Sequence, residues 1–157
     1  MDTIGWNAPC TEKGCNADSE YPMEQDIYRI DGDAWRIALD KGDCDIHIEL
    51  SEPGAGAEAG RMIVEIPNDP QFADVRHKLD DAVFAQTKKH IAGPTAMTEA
   101  LALHVVGYRF WDGHHVCKNA ACPHPEHAAA GEHCSHGTRF VCGIWELHPV
   151  LAIGVRP

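Results

Sequence analysis

Three times in this chain a carboxylate precedes an imidazole by two residues: Asp45 with His47, Asp112 with His114, and Glu146 with His148. Residues two apart on a β-strand share a face, so each pair presents an acidic group and a ring nitrogen to one point. Such a pair can ligate a divalent ion, or a carboxylate can orient an imidazole for general acid and base catalysis. Glu65, just before the strand-ending Ile66-Pro67, extends the set. The candidate chemical residues are therefore Asp45, His47, Glu65, Glu146 and His148. The plain alternative is a solvated polar face opposite a core, the ordinary alternation of half-buried strands, with His148 satisfying a backbone group at Pro149. His77, His90 and His104 have no such pattern and read as surface or packing residues.

A second source of chemistry lies between His114 and Cys142. Cys117, Cys122, Cys134 and Cys142 alternate there with His114, His115, His124, His127, His133 and His136. Thiolate and imidazole are the donors zinc prefers, so Cys117, Cys122, Cys134 and Cys142, with His114 and His115, are candidate zinc ligands. The spacing matches no standard finger or ribbon, because no tight C-x-x-C knuckle occurs. Another divalent ion is the variant of this reading. The oxidative alternative pairs Cys10 with Cys15, Cys117 with Cys122, and Cys134 with Cys142, leaving Cys44 as the odd thiol.

These groups need elements to position them. At 157 residues the chain is one domain's worth of sequence, long enough to bury a core without metal or disulfides. Residues 1–25 mix Asn, Pro, Cys and Gly without period and read as an irregular arm. The single domain then spans 26–157. Apolar and polar residues alternate from Ile27 through Leu39, with a break expected at the turn signal Asp31-Gly32-Asp33, and again from Cys44 to Leu50. Arg61 to Ile66 gives a third strand stopped by Pro67. Asp69 and Pro70 start a helix in which Phe72, Val75, Leu79, Val83 and Gln86 recur at helical spacing, with its end expected at Gly93. Leu103 to Phe110 and Phe140 to Leu147 are the last two strands, separated by the Cys/His insertion at 114–139. Pro149 should end regular pairing and leave Val150 to Val155 as an apolar tail. The order βββαββ predicts a mainly β protein with one helix (α+β), a five-stranded partly open barrel of the oligonucleotide/oligosaccharide-binding type.

Composition narrows the function. Lys and Arg number 13 against 24 Asp and Glu, a formal charge of −11, which opposes binding nucleic acid through its phosphates and leaves it only as a substrate brought to a metal. No apolar run reaches the length of a membrane span, and the first residues lack the charged start and apolar core of a signal peptide. A cytoplasmic location is expected, the alternative being export with a signal removed.

The run Asp45-Ile46-His47, then Ile63-Val64-Glu65-Ile66-Pro67, Val106 to Gly113, and Trp145-Glu146-Leu147-His148-Pro149-Val150 resembles a widespread, uncharacterised bacterial family of small β proteins. The resemblance covers Asp45 to the C-terminus. It implies the β fold, points to Asp45, His47, Glu65, Asp112, Glu146 and His148, and implies export for many members. It implies no reaction, and the Cys/His insertion departs from its pattern. Ile30-Asp31-Gly32-Asp33 with Arg61 to Pro67 is similar, more weakly, to the staphylococcal-type thermonucleases, where such segments supply calcium ligands and a phosphate clamp. Ala34, the early Glu65 and the lack of a second placed arginine depart from them.

Three functions follow as expectations. The first is a metal-binding, zinc-holding small β-barrel module that binds a ligand or partner. The second is a metal-dependent hydrolase of phosphodiesterase or nuclease type, and the third a secreted disulfide-stapled domain.

Overall fold

The structure, a computed structural model, describes residues 26–111 and 141–157, with the backbone alone for residue 111 and residues 141–145. Among the described residues five strands form: β1 (Ile27–Leu39), β2 (Ile46–Ser51), β3 (Arg61–Ile66), β4 (Thr95–Trp111) and β5 (Val141–Val155). One helix, α1 (Ala73–Thr87), stands between β3 and β4, entered by a 3-10 turn at Pro70–Phe72. The protein is mainly β with one helix. Its strands close into a ring in the order β1-β2-β3-β5-β4, with β4 returning to β1. All neighbours are antiparallel except β3 and β5.

Alternation in the sequence becomes two faces here. Ile37 on β1, Ile48 and Leu50 on β2, Val64 and Ile66 on β3, Leu103 and Val105 on β4, and Leu147 on β5 point into a common core. Phe72 of the 3-10 turn and Val75, Leu79 and Val83, the apolar stripe of α1, join it. Full burial of each such side chain is worth roughly 1.5–3 kcal/mol, so this cluster dominates stability. As expected, Asp69 caps the entry, its side chain accepting from the Gln71 N–H at 3.0 Å with Pro70 at the first turn.

Several boundaries differ from the sequence reading. β1 runs unbroken through Asp31-Gly32-Asp33, because Gly32 serves close packing rather than a turn: a Cβ there would lie 2.4 Å from Leu50 Cγ and 2.8 Å from the Ser51 carbonyl oxygen. β2 begins at Ile46, since Cys44 has φ 67. α1 stops at Thr87, well before Gly93; Lys88 takes the left-handed conformation, φ 60, and its N–H reaches the Phe84 carbonyl at 2.9 Å. Gln86, placed on the apolar stripe by its spacing, is exposed and donates to the Glu99 carbonyl. β4 starts at Thr95, its polar and small residues still pairing with β1. Pro149 does not end β5. Its missing donor falls where the β4 register shifts around Gly107, whose Cα approaches Pro149 too closely for a side chain, and pairing resumes from Val150 through Val155. No described helix is long and apolar enough to cross a membrane.

Candidate metal centre

The candidate residues sit on the outer face of the ring, where β3 runs between β2 and β5. Ile46, Ile48 and Leu50 turn inward, so His47, Glu49 and Ser51 turn outward. Met62, Val64 and Ile66 turn inward, leaving Arg61, Ile63 and Glu65 on the same outer face. Inward Leu147 puts Glu146 and His148 there too. His47 stands directly opposite Glu65 across the β2–β3 ladder, and the parallel β3–β5 pairing of Ile63 with Glu146 and Val64 with Leu147 brings His148 to the other flank of Glu65.

Glu65 is the hub. Its Oε1 lies 2.6 Å from His47 Nε2 and its Oε2 lies 3.2 Å from His148 Nδ1. The His47 contact has the distance of an ion pair but not the angle of a ring N–H hydrogen bond, so His47 Nε2 is buried without a satisfied hydrogen bond. Glu146, 3 % exposed, makes a side-chain hydrogen bond to Glu65, itself 7 % exposed. Phe110 on β4 packs edge-on against His148, with ring centroids 5.1 Å apart.

The electrostatics follow from that crowding. The Glu65 carboxylate raises the His47 imidazole above its ordinary value, against the opposing effect of burial, with the charges of Asp40 and Asp43 helping. Burial by itself would raise Glu65, but the close contact and charge of His47, the charge of His148 and the neighbouring Glu146 outweigh it and hold the carboxyl below its ordinary value. Asp45 is raised, first by burial and then by the charges of Asp43 and Glu65, although the Asn68 N–H donates to its Oδ1 at 2.6 Å and His148 opposes the rise.

The loop joining β1 to β2 is tied to this site by local hydrogen bonds. Asp45 donates its N–H to Asp43 Oδ1 at 2.9 Å, and the Asp40 N–H donates to the Asp45 carbonyl at 2.9 Å. From α1, Arg76 donates to the carbonyls of Cys44 and Ile66 at 2.9 and 3.0 Å, clamping the loop and the end of β3 together. Beside His47 a groove of about 290 Å³ opens between Arg36, Lys41, Ile63 and Pro94. Its floor holds Glu49, 2 % exposed, which accepts from Arg36 at 2.8 Å and Arg61 at 2.7 Å.

The structure thus brings together His47, Glu65, Glu146 and His148, with Asp45 at the margin. Two trios, Asp43 with His47 and Glu65, and Glu65 with Glu146 and His148, each have ligand atoms within 4.8 Å of one another. Donors around one ion at roughly 2.0–2.2 Å are spaced by about 3–4.4 Å, so both trios are near a ligating geometry. Asp43 was missed by the two-residue spacing because it acts from a loop; Glu49 and Arg61 were missed because nothing in the alternation distinguishes a paired charge from a solvated one. His90 and His104, which the pattern left without partners, have them on the surface: Asp80 at 2.7 Å and Asp31 at 2.5 Å. Asp33 pairs with Arg156. Asp112, His114, His115, Cys117, Cys122 and Cys134 lie outside the described residues, as does the side chain of Cys142. Cys44 is exposed with a free thiol. No family model matches the chain, and no curated protein or solved structure matches it.

Proposed function

We propose that this protein is a divalent-metal-binding module of the oligonucleotide/oligosaccharide-binding type, whose ion sits on the outer β2–β3–β5 face and helps hold a ligand in the adjoining groove. The observation that carries the reading is the convergence of His47 and His148 on the two oxygens of buried Glu65, with buried Glu146 against it. Burying two carboxylates side by side costs free energy unless a cation or shared proton offsets their charge, and a site rich in imidazole and carboxylate suits zinc or a similar ion. The strand order βββαββ and the ring β1-β2-β3-β5-β4 support the barrel type, in which outer-face grooves hold ligands. Zinc on Cys117, Cys122, Cys134, Cys142, His114 and His115 is a separate part of the proposal. The test is metal analysis and zinc titration by calorimetry on protein purified under reducing conditions, with a thiol count. A zinc equivalent lost in His148→Ala but retained when the four cysteines are alkylated supports the reading; no binding beyond the thiol-dependent equivalent overturns it.

A second reading, a metal-dependent hydrolase acting on phosphodiesters, is favoured by one feature: each trio supplies three protein donors, leaving a coordination position for water. Metal-restored cleavage of bis-nitrophenyl phosphate that is lost in His148→Ala would support it.

A further inference from the structure

We propose that the outer-face centre holds two divalent ions bridged by Glu65, an inference that rests on the metal reading above and specifies its nuclearity. The two candidate trios share Glu65 and nothing else: Asp43 and His47 lie on one flank, Glu146 and His148 on the other. The carboxylate is oriented for bridging, since Oε1 faces His47 at 2.6 Å while Oε2 faces His148 at 3.2 Å. The sheet imposes this orientation. A residue of β3 has β2 on one side and β5 on the other: His47 pairs with Glu65 across the β2–β3 ladder, and His148 follows the Val64–Leu147 pair on β5. A bidentate carboxylate so placed spans the roughly 3.5–4 Å separation of two-metal sites.

Charge supports the same count. The carboxylates of Asp43, Asp45, Glu65 and Glu146 gather around the two imidazoles. One divalent ion leaves two of those four charges unbalanced in a half-buried site, and two ions balance the set. The donors are oxygen and imidazole nitrogen, which take Mn²⁺ or Zn²⁺. A paired centre of this kind clamps a ligand that offers two oxygens to the ions, as a phosphate or carboxylate group does.

Mn²⁺ alone is the probe, because a hard ion avoids thiolates and so reports this centre rather than the cysteine-rich segment. Equilibrium binding with electron paramagnetic resonance should give two Mn²⁺ per chain with a spectrum broadened by coupling between neighbouring ions. His47→Ala and His148→Ala should each leave one uncoupled ion, and Glu65→Gln should abolish coupling. One ion per chain in the wild type overturns the paired centre while leaving the metal reading intact. No bound Mn²⁺ or Zn²⁺ at this face overturns both. Two ions that remain coupled in Glu65→Gln overturn the bridge. The wild-type stoichiometry decides the matter even where a variant fails to fold, and circular dichroism identifies such a variant.

Discussion

Asp45 shows how a single side chain is set against the stability of its own fold. Its raised pKa means the folded chain holds the Asp45 proton more tightly than the unfolded chain does, so folding gains stability as pH falls through the raised value, and ionised Asp45 is a penalty above it. In chelator at pH 7, Asp45→Asn should therefore be more stable than wild type, since the amide oxygen still accepts from the Asn68 N–H. The advantage should fade as pH drops below the ordinary carboxyl value of 3.8, where both chains are neutral at this position. Urea unfolding across that range checks the sign, and an unchanged or lower stability at pH 7 refutes it. The same variant should bind Mn²⁺ several-fold more weakly, because the charge that costs stability attracts the ion. Such residues were legible from the sequence as candidates because a carboxylate and an imidazole two apart on a strand share a face, although a solvated polar face gives the same alternation. Asp43 was not legible. Its place depends on the turn at Cys44 and the hydrogen bond from Asp45, which no two-residue period encodes.

At the scale of the elements, periodicity gave the number and order of strands and the buried stripe of α1, because burial on one face is what alternation records. It misplaced ends where a special contact overrides composition. Gly32 is the clearest case: glycine in a strand was read as a turn, yet it lies under Leu50 and Ser51 of β2 in a continuous β1. Gly32→Ala should cost roughly 1–3 kcal/mol, the usual penalty of forcing a methyl group into a packed interior, here against a backbone oxygen that cannot rotate away. Gly93→Ala, where a Cβ meets nothing within 4 Å, should change stability by no more than about 0.5 kcal/mol. Equal effects at the two sites in denaturant unfolding would show that Gly32 has slack the packing denies. Because Gly32 packs on Leu50, two strand positions beyond Ile48 and one face removed from Glu49, its loss should reach the groove only through the tilt of β2. Pro149 teaches the converse, since a residue expected to stop a strand is carried by a shift of register in its partner at Gly107.

For the whole molecule, charge and metal act together. A chain of net charge −11 repels itself when compact, so added NaCl should stabilise it modestly by screening. A divalent ion does the same without specificity, and the candidate centre must be separated from that background. At constant ionic strength, Mn²⁺ at about one hundred times its dissociation constant should add roughly 2.7 kcal/mol for each ion bound, because it binds the folded chain alone. For a chain of this length that is a rise in Tm of about 5–11 °C per ion. The double variant His47→Ala with His148→Ala, first matched to wild type for its melting in chelator, should keep the NaCl response and lose the Mn²⁺ response. If it gains as much from Mn²⁺ as the wild type does, the ion acts on the acidic surface at large, and the clustered ligands around Glu65 are a structural ion-pair network. If the gain disappears, the stability sacrificed to crowd acidic groups on the outer face is recovered when the ion arrives, which is the thermodynamic mark of a binding site.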